Sequence, residues 1–237
     1  MVPSPIWPPK AADRGYRLFT TAAGPVTADF AGNRLLQGIT LAYVLLWLAL
    51  AIAPVNRFDW FLENLLVFFF VGLLAVTYRA FPLSSLSYLL LAVFLGLHAV
   101  GAHYTYSKTP FGWWLVELLE WERNHYDRVV HFLFGLMCSY PLWEVVRRGT
   151  RLAGWCSYGI AFAVVLAFSG IYEMLEWGVA MILSPDAAMA FLGTQGDVFD
   201  AQKDTVLATG GAVIALSLIV LTEGVGRASG KARPPTS

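Results

Sequence analysis

The stretch LAYVLLWLALAIA (41–53) decides the fold class. It is the centre of 22 uncharged residues between Arg34 and Arg57. A helix needs about 20 apolar residues to cross a bilayer core. The same reading applies outward along the chain. Glu63 and Arg79 enclose 15 uncharged residues, Arg79 and Lys108 28, Arg128 and Glu144 15, Arg151 and Glu173 21, and Asp204 and Glu223 18. These runs are apolar on all sides, so they are not the alternating strands of a membrane barrel. The expected fold is an all-α polytopic integral membrane protein. Its six transmembrane helices are expected near 36–54, 60–79, 84–106, 128–146, 154–182 and 204–223.

Composition agrees. Of 237 residues, 57% are hydrophobic and 14% charged. A soluble domain carries about 25% charge. A soluble enzyme, a disordered chain and a nucleic-acid binder are disfavoured. Cys138 and Cys156 provide no disulfide framework and are expected reduced and unpaired.

The net charge is zero, from 16 basic and 16 acidic residues, but its distribution is polar. With six spans, eleven of the basic residues fall on the side of both termini and five on the other. The positive-inside rule then makes both termini cytoplasmic, in a bacterial inner (plasma) membrane protein. Twelve of the acidic residues and all four histidines fall in the outer half. Residues 1–34 read as a cytoplasmic tail without a cleavable signal peptide, 35–223 as the membrane domain, and 224–237 as a disordered cytoplasmic tail. FGWWLVELLEWER (111–123) places Phe111, Trp114, Leu115, Leu118 and Leu119 on one face. It is expected to lie in the outer interface as an amphipathic helix, an anchor or a lid over a lateral opening.

Three polar clusters fall near the outer ends of the spans. In HYDRVVHF (125–132), Asp127 begins span four and His131 follows one turn later, with His125 and Arg128 beside them. In SGIYEMLEW (169–177), Ser169, Glu173 and Glu176 share a stripe. In GTQGDVFDAQKD (193–204), Gln195 and Asp197 precede Asp200 and Asp204, and Gly193 and Gly196 permit a turn. Topology brings the three to one depth. So many carboxylates must hold protons, pair with Arg123, Arg128 or Lys203, or bind a cation. An oxygen-rich set with one imidazole suits Mg²⁺, Mn²⁺ or Zn²⁺. His131, Glu173, Asp200 and Asp204 are the candidate ligands. Glu173 or Glu176 is the candidate general base, with His131 as ligand or acid. His98 is expected to be an interior hydrogen-bonding residue, His103 to reach the pocket, and Glu144 and Arg148 to form an i,i+4 ion pair.

The blocks HYDRVVHFLFG, GIYEMLEW and LGTQGDVFDAQKDTVLATGGA resemble those of the YjdF-type bacterial inner-membrane proteins. That resemblance implies a six-helix inner-membrane protein and no particular reaction. A more distant similarity is to the VanZ-like membrane proteins linked to glycopeptide resistance. Asp127, Arg128 and His131 match their first block, Glu173 the second, and Asp200 or Asp204 followed by Gly211 the third. Glu176 stands where that pattern has Gln, and Thr194-Gln195 near its Arg. Three functions remain open: a metal-dependent factor modifying an envelope lipid or cell-wall precursor, a small proton-coupled transporter, and a non-catalytic scaffold.

Overall fold

The computed structural model describes residues 29–150 and 152–231, with side chains up to Glu223. After a 3₁₀ turn at Phe30–Gly32 come α1 (Arg34–Leu50), α2 (Arg57–Thr77), α3 (Ser85–His103), α4 (Pro110–Leu119), α5 (Tyr126–Thr150), α6 (Trp155–Ala180), α7 (Pro185–Leu192) and α8 (Asp200–Lys231). No strand occurs among the described residues. Side chains that satisfy the first free N–H groups set the helix starts. Asn33 accepts from Leu36 N, Asn56 from Phe58 N and Asp59 N, and Ser84 from Ser87 N. α4 and α7 begin with a proline, whose missing N–H costs nothing there.

Five helices, α2, α3, α5, α6 and α8, are long and apolar enough to cross a membrane. α1 is apolar but has 17 residues, at the lower limit for a span. The chain is an all-α polytopic membrane protein. Its outward surface carries Leu41, Phe69, Val76, Ile182 and Leu221. In water so broad an apolar surface would drive association; hydrocarbon covers it without cost.

The closest packing in the molecule is between α5 and α8. Gly135 lies against the Ala208 carbonyl, and Gly211 against the Phe132 carbonyl and Leu136 N. Ala208 and Ala212 are fully buried in the seam. Small residues let the two backbones approach, and the resulting dispersion contacts replace a hydrophobic drive that lipid cannot supply. α3 and α6 flank this pair, and α1 packs on α3 at the edge. Helix alternation puts the start of α2, α5 and α8 and the end of α3 and α6 at one end, here called the acidic end.

Local departures from the sequence expectations have physical causes. The amphipathic helix stops at Leu119 and not 123. Glu120 takes a left-handed conformation (φ 53°), and the chain turns so that Arg123 points inward. α8 begins at Asp200, so Asp197 belongs to the preceding loop. That loop turns at Gly193 and Gly196, both at positive φ. α8 runs on to Lys231 where a disordered tail was expected from 224. The N-terminal tail to residue 28 and residues 232–237 lie outside the described residues.

At the opposite end, Glu144 is fully buried. Beyond its pair with Arg148 (2.7 Å), its carboxylate accepts from Ser84 N, Ser84 Oγ and Ser87 Oγ. It therefore caps α3 from α5 and is more than a surface ion pair. Arg147 and Tyr158 both donate to Glu223, joining α5 and α6 to α8 (each 2.6 Å). Cys138 is buried, Cys156 is exposed, and both are free thiols.

Candidate functional site

α5 and α8 bring the first and third of the polar clusters together just beyond their close crossing. One turn separates Asp127 from His131 on α5, so both face the same way. Asp204 approaches from α8. Ligand-capable atoms of Asp127, His131 and Asp204 all lie within 4.8 Å of one another. His131 Nε2 is 3.6 Å from Asp127 Oδ1 and 3.3 Å from Glu173 Oε1, which reaches in from α6. His131 is 7% exposed and Asp204 2%. Asp204 Oδ1, Glu173 Oε1 and Ser169 Oγ are buried with no hydrogen-bond partner among the described residues. Buried polar atoms are normally satisfied, so orphaned carboxylate oxygens around an imidazole fit a cation position. Two carboxylates and one imidazole, with Glu173 beside them, suit a hard or borderline divalent ion.

Next to this group lies an ion-pair bridge. Arg123 Nη1 and Nη2 clasp Asp200 Oδ1 and Oδ2 at 2.8 and 3.3 Å, and Nη1 also donates to the Thr194 carbonyl. Arg128 donates to Asp197 and to Asp200 Oδ1 (3.1 Å). Lys203 Nζ donates to Asp197 Oδ2 at 2.5 Å. Both oxygens of Asp200 are thus engaged by guanidinium groups, which makes it a counter-ion in this arrangement. The Lys203 ammonium, with the Phe199 N–H, holds the Asp197 carboxyl below the usual carboxylate range. Arg128 Nη1 donates to His125 Nδ1 at 3.1 Å. Burial, reinforced by Arg128 and Arg123, lowers the His125 pKa and keeps its ring neutral.

A second polar string runs behind the cluster. Tyr172 donates to Glu63 Oε2 (2.6 Å), and its ring lies 5.9 Å from that of His131. His98 pairs through Nε2 with the Glu63 carbonyl and through Nδ1 with Tyr106 Oη. Nε2 carries the proton it donates to that carbonyl, so Nδ1 accepts from the Tyr106 hydroxyl. Glu176 lies within electrostatic reach of Glu63, Asp127 and Glu173. Glu63 is a member that the sequence reading passed over. It was treated only as the edge of an apolar run, although a charge next to one end of a span was itself the signal.

Two sequence candidates lie apart from the cluster. Gln195 forms a reciprocal pair with the Asn124 backbone, accepting from N and donating to O. Asn124, fully buried, in turn holds Thr109 and Tyr126 and fills the space beside Gly112. Asn124, one residue beyond the amphipathic stretch 111–123, is the knot that ties α4 to α5. His103 does not join the pocket. Its Nδ1 meets the Leu50 carbonyl at 2.7 Å and fastens the end of α1 to α3.

Comparison with known proteins adds family membership. Residues 35–223 match the family model described as "Predicted membrane protein (DUF2238)". The inner membrane protein YjdF of Escherichia coli (strain K12) is 36% identical over 180 residues, covering 75% of this chain and 84% of that protein. No solved structure matches. These matches do not show the expected similarity to VanZ-like proteins. The chain belongs to the DUF2238 family of membrane proteins and is a homologue of an inner membrane protein.

Proposed function

We propose that the acidic end holds a divalent cation, and that the protein uses it to modify the headgroup of an envelope lipid or a cell-wall precursor. The observation that carries this reading is the convergence of Asp127, His131 and Asp204 within 4.8 Å, beside buried carboxylate oxygens that lack partners. Asp127, His131 and Asp204 would hold the ion, which supplies charge for polarising a phosphoryl or carbonyl oxygen. Glu173, 3.3 Å from His131, is placed to take a proton from an attacking group, with Glu176 nearby as a second acid. Asp200 keeps Arg123 and Arg128 fixed at the rim. The excess of basic residues at the other end orients this pocket to the extracytoplasmic side, with both termini inside.

Transport has less support. Between His131 and Glu144, α5 offers Cys138, Ser139 and Tyr140 as its polar side chains, and Ser139 Oγ is committed to the Gly135 carbonyl. A path of exchangeable charges would have to cross that interval.

The test is Mn²⁺ binding by detergent-purified protein, measured by calorimetry and by bound-metal analysis. Wild type is expected to bind one ion per chain, with loss of binding in Asp204→Asn and Asp127→Asn. Failure of the wild type to bind Mn²⁺, Mg²⁺ or Zn²⁺, or equal binding by these variants, would overturn the reading.

A further inference from the structure

Consecutive residues on a helix point about 100° apart. Asp127 and Asp204 turn toward the cation cluster, and their chain neighbours Arg128 and Lys203 turn toward a different surface. There Arg128, Gln202, Lys203, Val206 and Leu207 line a groove of about 370 Å³. Its floor and lower wall are apolar, and Val206 is 68% exposed. Its upper rim is cationic, and the Lys203 side chain is 50% exposed. The ion-pair bridge that supplies this rim is not balanced. Among the described residues, the ion pairs of Arg123, Arg128 and Lys203 are with Asp197 and Asp200. Within ion-pair distance the cations outnumber the carboxylates by one, and Asp127 and Asp204 stand farther off, within electrostatic reach of Arg128. The Nε–H groups of both arginines also have no acceptor among the described residues.

We propose that this groove binds a lipid with an anionic phosphate headgroup, and that such a lipid is the substrate class presented to the neighbouring cation cluster. The second half rests on the function proposed above; the first half does not. Phosphate meets the surplus charge of Lys203 and Arg128, and the acyl chains run down past Val206 and Leu207. A free phosphate ion would use the rim and leave the apolar wall without a role. The exposed Val198 and Phe199 in the preceding loop extend the apolar surface at the same level. Because Arg128 and Lys203 are sequence neighbours of two cluster residues, a headgroup on the groove is one side-chain step from the ion.

The experiment is native mass spectrometry of the full chain in mixed nanodiscs of phosphatidylglycerol and phosphatidylcholine. Wild type is expected to retain phosphatidylglycerol preferentially. Lys203→Met should reduce that preference about fivefold, as expected for one lost membrane-facing cation, and Lys203→Glu further. Lys203→Met keeps an apolar stem, so it remains informative if the charge reversal fails to fold. Equal retention of the two lipids by wild type, or unchanged preference in Lys203→Met, overturns the groove. Displacement of the lipid by millimolar inorganic phosphate overturns the lipid as its source. The same measurement with EDTA and in Asp204→Asn separates the two proposals. Lipid preference that persists in a protein that never binds Mn²⁺ keeps the groove and removes the catalytic reading. Mn²⁺ binding without lipid preference does the reverse.

Discussion

Substituting Gly135 by Ala links packing to the site without touching a candidate ligand. A Cβ there would collide with the Ala208 carbonyl oxygen, and would lie 2.7 Å from its carbon and 2.9 Å from Ala212 N. These are backbone atoms, so no side chain can swing away. Relieving the carbon contact alone, from 2.7 Å to the 3.4 Å where ordinary contact begins, parts the helices by about 0.7 Å, and the nearer carbonyl oxygen demands more. His131 lies one turn from Gly135, and Asp204 one turn from Ala208. The displacement is therefore transmitted almost directly to the two ligand helices. Metal sites tolerate about 0.2 Å per ligand. Gly135→Ala should weaken Mn²⁺ binding about 10–100-fold, the range seen when supporting groups of metal sites are altered. It should also cost about 1–3 kcal/mol through overpacking. Cys138, buried on α5, reports the opening of this seam through its reaction with a thiol-reactive dye during heating. A Cys156→Ser background removes the exposed thiol. Gly210→Ala is the control, because nothing lies within 4 Å of its added Cβ. It should melt at or slightly above the parent temperature. Wild-type melting and Mn²⁺ affinity in Gly135→Ala would refute the close crossing. Lower melting with unchanged Mn²⁺ affinity would refute its coupling to the site.

Three further outcomes follow from the geometry. Glu144→Ala should destabilise the protein by about 3–5 kcal/mol in a detergent melting series, since it strips a fully buried carboxylate from Arg148 and the start of α3; Glu144→Gln should cost less. Arg123→Gln should loosen the 193–199 loop, because it removes bonds to Asp200 and the Thr194 carbonyl, and faster limited proteolysis between α7 and α8 would register this. His125 has a folded pKa below its ordinary 6.5, so the unfolded chain binds the extra proton first. Its contribution to stability is complete above about pH 6.5 and declines on acidification toward the folded pKa. His125→Gln should flatten that part of the melting-temperature profile between pH 7.5 and 5.5.

Charge-free run lengths made the helices legible, because the cost of placing a charge in hydrocarbon acts locally along the chain. The cluster of His131, Glu173 and Asp204 was legible for a related reason: topology alone puts three span ends at one depth. Which carboxylate faces which partner was not legible. Asp200 and Asp204 are one turn apart, yet the first is claimed by Arg123 and Arg128 and the second is left without a partner on Oδ1. That choice depends on where residues 120–125 turn, which a left-handed Glu120 decides and periodicity does not encode. Asn124 illustrates the same limit: a polar residue on a helical wheel reads as solvent-facing, and only the closed loop reveals it as fully buried. Glu144 was read as half of a local pair because its other partners, Ser84 and Ser87, are 60 and 57 residues away.

The pairing of α5 with α8 also has a consequence for biogenesis. Arg123 and Asp200 are 77 residues apart, and α5 and α8 begin 74 residues apart, at Tyr126 and Asp200. At ~5–20 residues per second of synthesis, α8 follows α5 by roughly 4–15 s. For that interval Asp127, Arg128 and His131 have left the ribosome without the helix that later covers them. α3 is already present and packs on α5, so it can shelter part of that face. The acidic end must wait, in water at the membrane surface or against an insertion factor, until the last helix arrives. A chain truncated before α8 should therefore be a substrate for membrane quality control, even though all its earlier apolar segments are intact.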